Sequence, residues 1–260
     1  MGSAAVQSTL WGPRADDWAD VQEGMTAALY ESVLDALNVR ARMSVLDIGC
    51  GAGLYCRMAA DRGAVVHGVD ATAMLLGIAR RRVPLADLRQ ADMEELPFAD
   101  DSFHVVTVFN ALPYAESPIA ALREAKRVAR PNAAVVMAVT GMPEQVQTSG
   151  YLTALGSLLP VKPAGAPGCF ALSQDGALQD LARDAGLEPR RMTDVECVLE
   201  YPDEATALRG LQSCGTAVRA IQAAGDERVR RVVLKAIAPY RRADGGYTLT
   251  DTYRYLVAKA

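Results

Sequence analysis

The sequence predicts an α/β fold, a doubly wound and mainly parallel sheet covered by helices on both faces. Two observations carry the prediction. Short apolar runs of strand length alternate along the chain with stretches whose apolar residues recur at helical spacing. The run Val45 to Ile48 also breaks into alternating glycines before the chain turns helical at Leu54. A buried strand, a glycine turn and a helix, in that order, predict a nucleotide site at the carboxyl end of the strand.

Length and composition set the broad class. A chain of 260 residues, half of them apolar, forms one large domain or a domain with an insertion, and it can bury a sizeable core. The net charge of -4 comes without a basic run, which argues against nucleic acid as a partner. The five cysteines never form C-x-x-C, so neither a disulfide framework nor a zinc site is indicated, and we expect no metal. Since no signal pattern or long apolar run is present, we expect a cytoplasmic protein, monomeric or homodimeric, without membrane insertion.

The glycine turn indicates which class of nucleotide binds. Gly49, Gly51 and Gly53 have the spacing G-x-G-x-G, whereas dinucleotide-binding enzymes use G-x-G-x-x-G, with Leu54 here at the place of the third glycine. Asp47, inside the strand just before the turn, would repel a pyrophosphate. A carboxylate at this place favours a ligand that carries ammonium and sulfonium charges.

At these residues the chain resembles the class I S-adenosylmethionine-dependent methyltransferases, whose first motif is V-L-D-x-G-x-G-x-G. It is most similar to the small-molecule group related to ubiquinone and menaquinone C-methyltransferases. The resemblance implies a Rossmann-like sheet of seven strands with the last one antiparallel, together with helical lid insertions. It also implies S-adenosyl-L-methionine as the cofactor, S-adenosyl-L-homocysteine as its product, and a small-molecule acceptor as the partner. Specific motifs extend over about residues 40–140.

Acids and an amide follow the next strands. Asp70 comes about 20 residues after the glycine loop, where a carboxylate can accept both ribose hydroxyls. A cap for the following helix is the alternative role, for which Thr72 is the other candidate. The resemblance implies that Asp92 bonds the adenine amino group and that Met93 packs on the ring, and Asn110 should face the cleft from the fourth strand. The predicted cofactor site comprises Asp47, Gly49, Cys50, Gly51, Gly53, Asp70, Ala71, Asp92, Met93 and Asn110.

Candidates for a general base are few. Histidine is suited to this role because its pKa lies near neutral, but His67 and His104 are both in framework strands. Tyr114, just after the fourth strand, is the candidate catalytic residue by position, and packing or substrate stacking is its alternative role. A carboxylate such as Glu200, or no base at all, also stays open.

Aromatic residues are concentrated before the glycine loop. Residues 1–14 are expected to be flexible, and 15–37 carry apolar residues at helical spacing. The aromatic side chains of this region either attach the helix to the core or form a lid over the ligand, and the resemblance favours the lid. The predicted acceptor-binding residues, which suggest a moderately apolar organic acceptor, are Trp11, Trp18, Tyr30, Tyr114 and Met142.

After the fifth strand the pattern becomes irregular. Residues 141–170 lose the strand and helix alternation and collect prolines and glycines, which predicts an insertion that covers the site. Regular structure then resumes as a helix over 173–185, a sixth strand over 187–201, helical stretches over 203–223 and 226–239, and a last strand over 247–258.

We therefore expect a single compact domain in three parts: an N-terminal helical lid over 1–40, a cofactor-binding core over 41–140, and the rest of the sheet with acceptor-pocket insertions over 141–260. The predicted activity is methyl transfer from S-adenosylmethionine to an O, N or C atom of a small acceptor by in-line displacement. Two other classes stay open. One is a cofactor-binding protein without methyl transfer, acting as a regulator or in a cofactor-assisted rearrangement. The other is a nicotinamide oxidoreductase. This chain lacks the third glycine of that class's motif, and the class gives no role to Asp92 and Met93.

Overall fold

The computed structural model describes residues 3–160 and 170–260, and a seven-stranded sheet lies at its centre. The strands are β1 (Ser44–Ile48), β2 (Val65–Asp70), β3 (Asp87–Gln90), β4 (Phe103–Phe109), β5 (Ala129–Thr140), β6 (Glu188–Tyr201) and β7 (Tyr247–Lys259). Their order across the sheet is β3-β2-β1-β4-β5-β7-β6.

Strand direction follows the predicted pattern. Strands β1 to β5 pair in parallel, whereas β7 runs antiparallel to its neighbours β5 and β6. Leu46 of β1 is in register with Val106 of β4, and both are fully buried, as expected for strands that helices cover on both faces. The predicted fold class, a doubly wound sheet of seven mostly parallel strands with the last one antiparallel, is confirmed.

Helices cover the sheet and its carboxyl-end edge. They are α1 (Ala4–Trp11), α2 (Ala15–Asp17), α3 (Ala27–Ala36), α4 (Leu54–Asp61), α5 (Ala73–Arg82), α6 (Pro118–Val128), α7 (Ser149–Gly156), α8 (Ala177–Asp184), α9 (Glu204–Leu211), α10 (Gly215–Ala224) and α11 (Asp226–Ile237). None of the helices in the described part of the chain is long and apolar enough to cross a membrane.

Local chemistry accounts for several helix ends. Ser117 precedes α6 and accepts a hydrogen bond from the amide of Ala120 at 3.3 Å, and Pro118 begins the helix with a backbone angle that suits its first turn. Helix α5 ends in three arginines, Arg80 to Arg82, whose charges complement the carbonyl end of the helix. The last of them, Arg82, also reaches the site described below.

The described residues form three large hydrophobic clusters and a small fourth one of Ala15, Ala52 and Leu75. On one face of the sheet, α6 and α8 pack through buried Leu122 and Leu178. On the other, α3, α4 and α5 pack through residues such as Leu34, Tyr55 and Leu76. A third cluster contains residues of four helices, α7, α9, α10 and α11. These helices pack against the ends of β6 and β7 that lie at the carboxyl edge of the parallel strands. The helices inserted after β5 and β6 therefore build a layer above the edge at which a ligand is expected.

The N-terminal segment, residues 3–36, differs from its prediction. The stretch expected to be flexible contains helix α1, and the stretch expected to be one helix divides into α2, a π-helical turn at Trp18–Gln22, a 3₁₀ turn at Glu23–Thr26 and α3. Both predictions were wrong because contacts with distant parts of the chain decide this region. The Arg14 guanidinium pairs with Asp226 of α11 at 2.9 Å. Met1 and Gly2 lie outside the described residues.

The insertion after β5 is more regular than predicted. It contains a 3₁₀ turn at Pro143–Gln145 and helix α7, so the expectation of irregular chain is wrong for those residues, while 161–169 lie outside the described residues. The next helix begins at Ala177, after a 3₁₀ turn at Ala171–Ser173. The stretch 203–223 divides into α9 and α10. Tyr151 and Leu155 bury the apolar face that holds α7 in place, which local composition does not reveal.

Candidate cofactor and acceptor site

A cavity of about 210 Å³ lies over the carboxyl ends of β1, β2, β4 and β5. This is the edge at which open α/β sheets bind ligands. The N-terminal segment covers the cavity from one side, and the inserted helices cover it from the other. Its lining includes Gly49, Asp70, Asn110 and Thr140 from the sheet, Gln7, Trp11, Trp18, Glu23 and Tyr30 from the N-terminal segment, and Thr148, Tyr151 and Thr216 from the helices above.

Most of the predicted site residues meet in this cavity. Those that line it are Trp11, Trp18, Tyr30, Gly49, Cys50, Gly51, Asp70, Ala71, Asp92, Met93, Asn110 and Tyr114. Asp47, Gly53 and Met142 do not line it. The roles of all these residues toward a cofactor or an acceptor stay predictions.

The glycine loop needs its glycines for two different reasons. Gly49 has a φ of 74°, and a Cβ there would lie 2.7 Å from the Cβ of Ala111. Gly51 also has a positive φ, 54°, but its nearest neighbours would be 3.7 Å from a Cβ. Gly49 is therefore required by close approach as well as by its backbone angle, whereas Gly51 is required by the angle alone.

Asp70 connects the end of β2 to the glycine loop. One carboxylate oxygen accepts the Gly51 amide at 2.9 Å, and the other accepts the Thr72 amide at 2.8 Å. Burial raises the pKa of Asp70, and these two amides oppose the rise. Because each carboxylate oxygen can accept more than one hydrogen bond, Asp70 can hold the loop and still accept from a ligand in the cavity.

Asp92 is bound by two backbone amides. Its Oδ1 accepts from Glu94 and its Oδ2 accepts from Ala4 at the start of α1, both at 3.0 Å. The neighbouring Met93 is partly buried and packs against the core below the sheet edge. The first turn of α1 thus contacts the acid to which the family resemblance gives the adenine role.

Asp47 lies beneath the loop rather than in the cavity. Its side chain is 3% exposed and accepts a hydrogen bond from the Thr107 hydroxyl at 2.8 Å. Burial raises the pKa of Asp47 to about 8, which keeps much of this carboxyl protonated near neutral pH. In this position Asp47 supports β1 and β4 below the loop.

Glu23 is a site residue that the sequence analysis missed. It lines the cavity, its side chain is 3% exposed, and its Oε1 accepts the amide of Leu54, the first residue of α4, at 3.2 Å. Its Oε2 pairs with Arg82 of α5, whose guanidinium also donates to the carbonyl of Ala52 at 3.0 Å. We call this arrangement the Glu23–Arg82 clasp. It attaches the N-terminal segment to the end of the glycine loop that enters α4.

Aromatic rings form much of the wall above the loop. Trp11 contacts Trp18 edge-to-face at a centroid distance of 4.9 Å and Tyr114 at 5.6 Å. Tyr30 contacts Phe109 at 4.8 Å, and burial raises the pKa of Tyr30 well above its usual range. Such a buried phenol stays neutral, so Tyr30 contributes an apolar surface rather than a base.

The other proposed bases lie outside this wall. Glu200 is exposed on β6 and does not line the cavity. Neither His67 nor His104 lines it, and His104 accepts the Ser44 amide at 2.9 Å at the opposite end of β1. Tyr114 is the one of the named candidates that reaches the cavity.

A buried threonine and aspartate form a second pairing that the sequence did not reveal. Thr148 lines the cavity just before α7, and its amide and hydroxyl donate to the two carboxylate oxygens of Asp251 on β7, at 2.9 and 2.5 Å. Asp251 is 1% exposed, and burial raises its pKa. Asp251 therefore fixes the residue that precedes α7 and holds its hydroxyl.

The charged side chains that line this cavity are acidic. Of the described residues, the acidic side chains that line it are Glu23, Asp70 and Asp92, and no lysine or arginine lines it with them. Glu23 is paired with Arg82, so Asp70 and Asp92 contribute most of the negative charge. Such a surface attracts a cation and repels an anion. The arrangement can hold an adenosine through its acids and a positively charged group nearby.

Comparisons with known proteins agree with this geometry. A family model described as a methyltransferase domain matches residues 46–137, which contain the glycine loop, Asp70 and Asp92. A demethylmenaquinone methyltransferase from Paenarthrobacter aurescens is 35% identical over 127 residues, 48% of this chain and 50% of that protein. The chain spans about half of the length of the demethylmenaquinone methyltransferases that it matches.

A longer match comes from a second relative. The 27-O-demethylrifamycin SV methyltransferase of Amycolatopsis mediterranei is 30% identical over 216 residues, 74% of this chain and 73% of that protein. Among solved structures, YjhP from E. coli shares the fold with a TM-score of 0.61 at 16% identity, over 95% of this chain and 98% of that one. By its glycine loop, its strand-end acids and these similarities, the chain belongs to the S-adenosylmethionine-dependent methyltransferases.

Proposed function

We propose that this chain transfers the methyl group of S-adenosylmethionine to a small, uncharged, moderately apolar organic acceptor. The observation that carries the proposal is the cavity at the sheet edge, lined by three carboxylates and aromatic rings and, within the described chain, by no basic side chain. A sulfonium ligand is a cation, so this surface suits it, whereas a dinucleotide pyrophosphate would be repelled.

The residues present fit such a cofactor. Asp70 would accept the ribose hydroxyls, Asp92 would accept from the adenine amino group, and Met93 would pack against the ring. The loop from Gly49 to Gly53 would leave room for the rest of the ligand beside the backbone. When bound, the cofactor supplies a methyl group on a good leaving group, so no metal or covalent intermediate is needed.

The protein then has three tasks: to align the acceptor, to exclude water and, where the acceptor requires it, to accept a proton. The N-terminal segment and the inserted helices enclose the cavity, which serves the first two tasks. Tyr114 and Thr148, which both line the cavity, carry hydroxyl groups, and Asp251 holds the second of them. These hydroxyls suit a neutral hydroxyl, phenol or quinone-like group better than an anion.

The two similar relatives support the acceptor class. One is named for demethylmenaquinone and the other for 27-O-demethylrifamycin SV, and both names describe organic small molecules. We extend that class, and not either compound, to this chain. Its place in secondary metabolism and the atom that is methylated are further parts of the proposal.

Calorimetric titration with S-adenosylhomocysteine and with NADH tests the cofactor assignment. We expect Asp70→Ala and Asp92→Ala to weaken binding of the adenosyl ligand by about 1–3 kcal/mol each, because each removes a hydrogen bond to a charged acceptor. Asp61→Ala, which removes an exposed carboxylate from α4, is the control and should bind as the wild type does. Binding of NADH alone would refute the proposal, and so would wild-type affinity in both cavity variants.

Product detection tests the activity itself. We expect methylated products from neutral phenols, quinols or polyketides and none from carboxylates or phosphate esters, because none of the described residues that line the cavity is a lysine or an arginine. Turnover of anionic acceptors alone would contradict the proposed class. Binding of S-adenosylhomocysteine without methyl transfer to any acceptor would instead favour a cofactor-binding protein.

A further inference from the structure

The inner face of helix α1 carries three residues that line the cavity. Ala4, Gln7 and Trp11 are spaced three and four residues apart, which places them on one side of a helix. The Ala4 amide donates to Asp92 Oδ2 at 3.0 Å, so the first turn of α1 lies beside the acid assigned to adenine. Gln7 follows one turn later on the same face.

The side-chain amide of Gln7 is only half satisfied. Its Nε2 donates to the backbone carbonyl of Tyr114 at 3.3 Å. Its Oε1 is buried, and no donor within the described chain contacts it. The opposite orientation of the amide would set an acceptor against the Tyr114 carbonyl, so the carbonyl oxygen is the atom left over. A buried acceptor without a donor among the described residues is costly, and because Gln7 lines the cavity, a ligand bound there can supply that donor.

We propose that Gln7 is part of the adenine subsite and that its Oε1 accepts a hydrogen bond from the adenine amino group of S-adenosylmethionine. The inference rests on the proposed function. An exocyclic amino group has two hydrogens, and Asp92 and Gln7, which both line the cavity, supply two acceptors. The bond from Nε2 to Tyr114 is longer than usual, so a small turn of the amide brings Oε1 toward the ligand.

This assignment gives α1 a role in recognition as well as in covering the site. Ligands with an amino group at the purine 6-position satisfy both acceptors. Ligands with a carbonyl oxygen at that position satisfy neither, because they bring a third acceptor to the same place. Gln7 is thus a specificity-determining residue for the purine.

The test compares S-adenosylhomocysteine with S-inosylhomocysteine, which differs by an oxygen in place of the amino group. Affinities are measured by calorimetry for the wild type, for Gln7→Met and for Gln179→Met. The control residue, Gln179 on α8, also has a buried Oε1 that no described residue contacts with a donor, but it does not line the cavity. Methionine keeps the length of glutamine and removes both polar atoms.

We expect Gln7→Met to bind S-adenosylhomocysteine about threefold to tenfold more weakly than the wild type, the loss of one hydrogen bond. Its preference for the adenosyl over the inosyl ligand should fall by a similar factor, while Gln179→Met keeps the wild-type preference. A second measurement uses fluorescence, because the two tryptophans of the chain, Trp11 and Trp18, both line the cavity. The adenosyl ligand should change the emission of the wild type.

An unchanged preference between the two ligands in folded Gln7→Met would overturn the inference and leave the proposed function in place. A preference that falls equally in Gln179→Met would also overturn it, since the effect would then not be local. Failure of the wild type to bind S-adenosylhomocysteine would refute the proposed function itself. These results are distinguishable in one set of titrations.

Discussion

The Glu23–Arg82 clasp makes a quantitative prediction about stability. Removing the guanidinium in Arg82→Ala leaves the Glu23 carboxylate buried, with the Leu54 amide at 3.2 Å as its remaining hydrogen bond of the clasp. Breaking a fully buried ion pair costs about 3–5 kcal/mol, and because the Arg82 side chain is 25% exposed we expect about 2–4 kcal/mol at pH 8. The change on the other side of the pair, Glu23→Gln, keeps an acceptor for the Leu54 amide and leaves the Arg82 guanidinium free to be hydrated. It should lower the free energy of unfolding by about 1 kcal/mol.

The two variants should differ in their dependence on pH. Burial already raises the pKa of Glu23 above its unfolded value, and Arg82 opposes this rise. A carboxyl with a raised folded pKa lowers stability as the pH increases from the unfolded pKa through the folded pKa. Loss of Arg82 raises the pKa of Glu23 further, and each added unit costs about 1.4 kcal/mol once the group is ionised. The penalty of Arg82→Ala should therefore be larger at pH 8 than at pH 5.

Urea unfolding at pH 5 and pH 8, followed by tryptophan fluorescence and circular dichroism, measures these free energies. Arg57→Ala is the control, because it removes an arginine from an exposed pair with Asp61 and should change stability by less than about 0.5 kcal/mol. An equal penalty for Arg82→Ala at both pH values would refute the argument from burial. So would a larger loss in Glu23→Gln than in Arg82→Ala.

Two further predictions concern the glycine loop and its support. Gly49→Ala should cost about 2–4 kcal/mol and abolish binding of S-adenosylhomocysteine, because its Cβ would lie 2.7 Å from Ala111 at a φ of 74°, whereas Gly51→Ala, with 3.7 Å of clearance, should cost about 1–2 kcal/mol. Thermal unfolding and calorimetry compare the two, and equal losses would contradict the assigned contact. Burial raises the pKa of Asp47 to about 8, so the free energy of unfolding of the wild type should fall by up to about 1.4 kcal/mol per pH unit as the pH rises from 4 to 8. Asp47→Asn should flatten that slope in urea titrations, and an unchanged slope would show that another group causes it.

Local patterns were enough to predict the sheet and the place of the site. The strand over 44–48, the alternating glycines and α4 are adjacent in sequence. Their interactions are therefore short-range and can be predicted from the local sequence. The acids Asp70 and Asp92 follow their strands directly, and parallel strands bring their carboxyl ends to one edge. The structure places both acids on the cavity, as this reasoning requires.

The N-terminal segment could not be predicted in the same way. Its apolar spacing suits one long helix, but Trp11, Trp18 and Glu23 are held by partners elsewhere in the chain. These contacts turn the backbone through π and 3₁₀ geometry at 18–26. Tertiary packing therefore outweighs local helix propensity here, as it often does.

The sequence by itself determined the doubly wound sheet, the glycine loop and the acids at the strand ends, because strand burial, glycine dihedral angles and strand-end position are local properties. Tertiary structure alone decided which side chains meet across the cavity. Glu23 meets Arg82 over 59 residues, Ala4 meets Asp92 over 88, and Thr148 meets Asp251 over 103. Such pairs depend on how the N-terminal segment and the inserted helices pack onto the sheet edge, and no periodicity of either partner encodes the other.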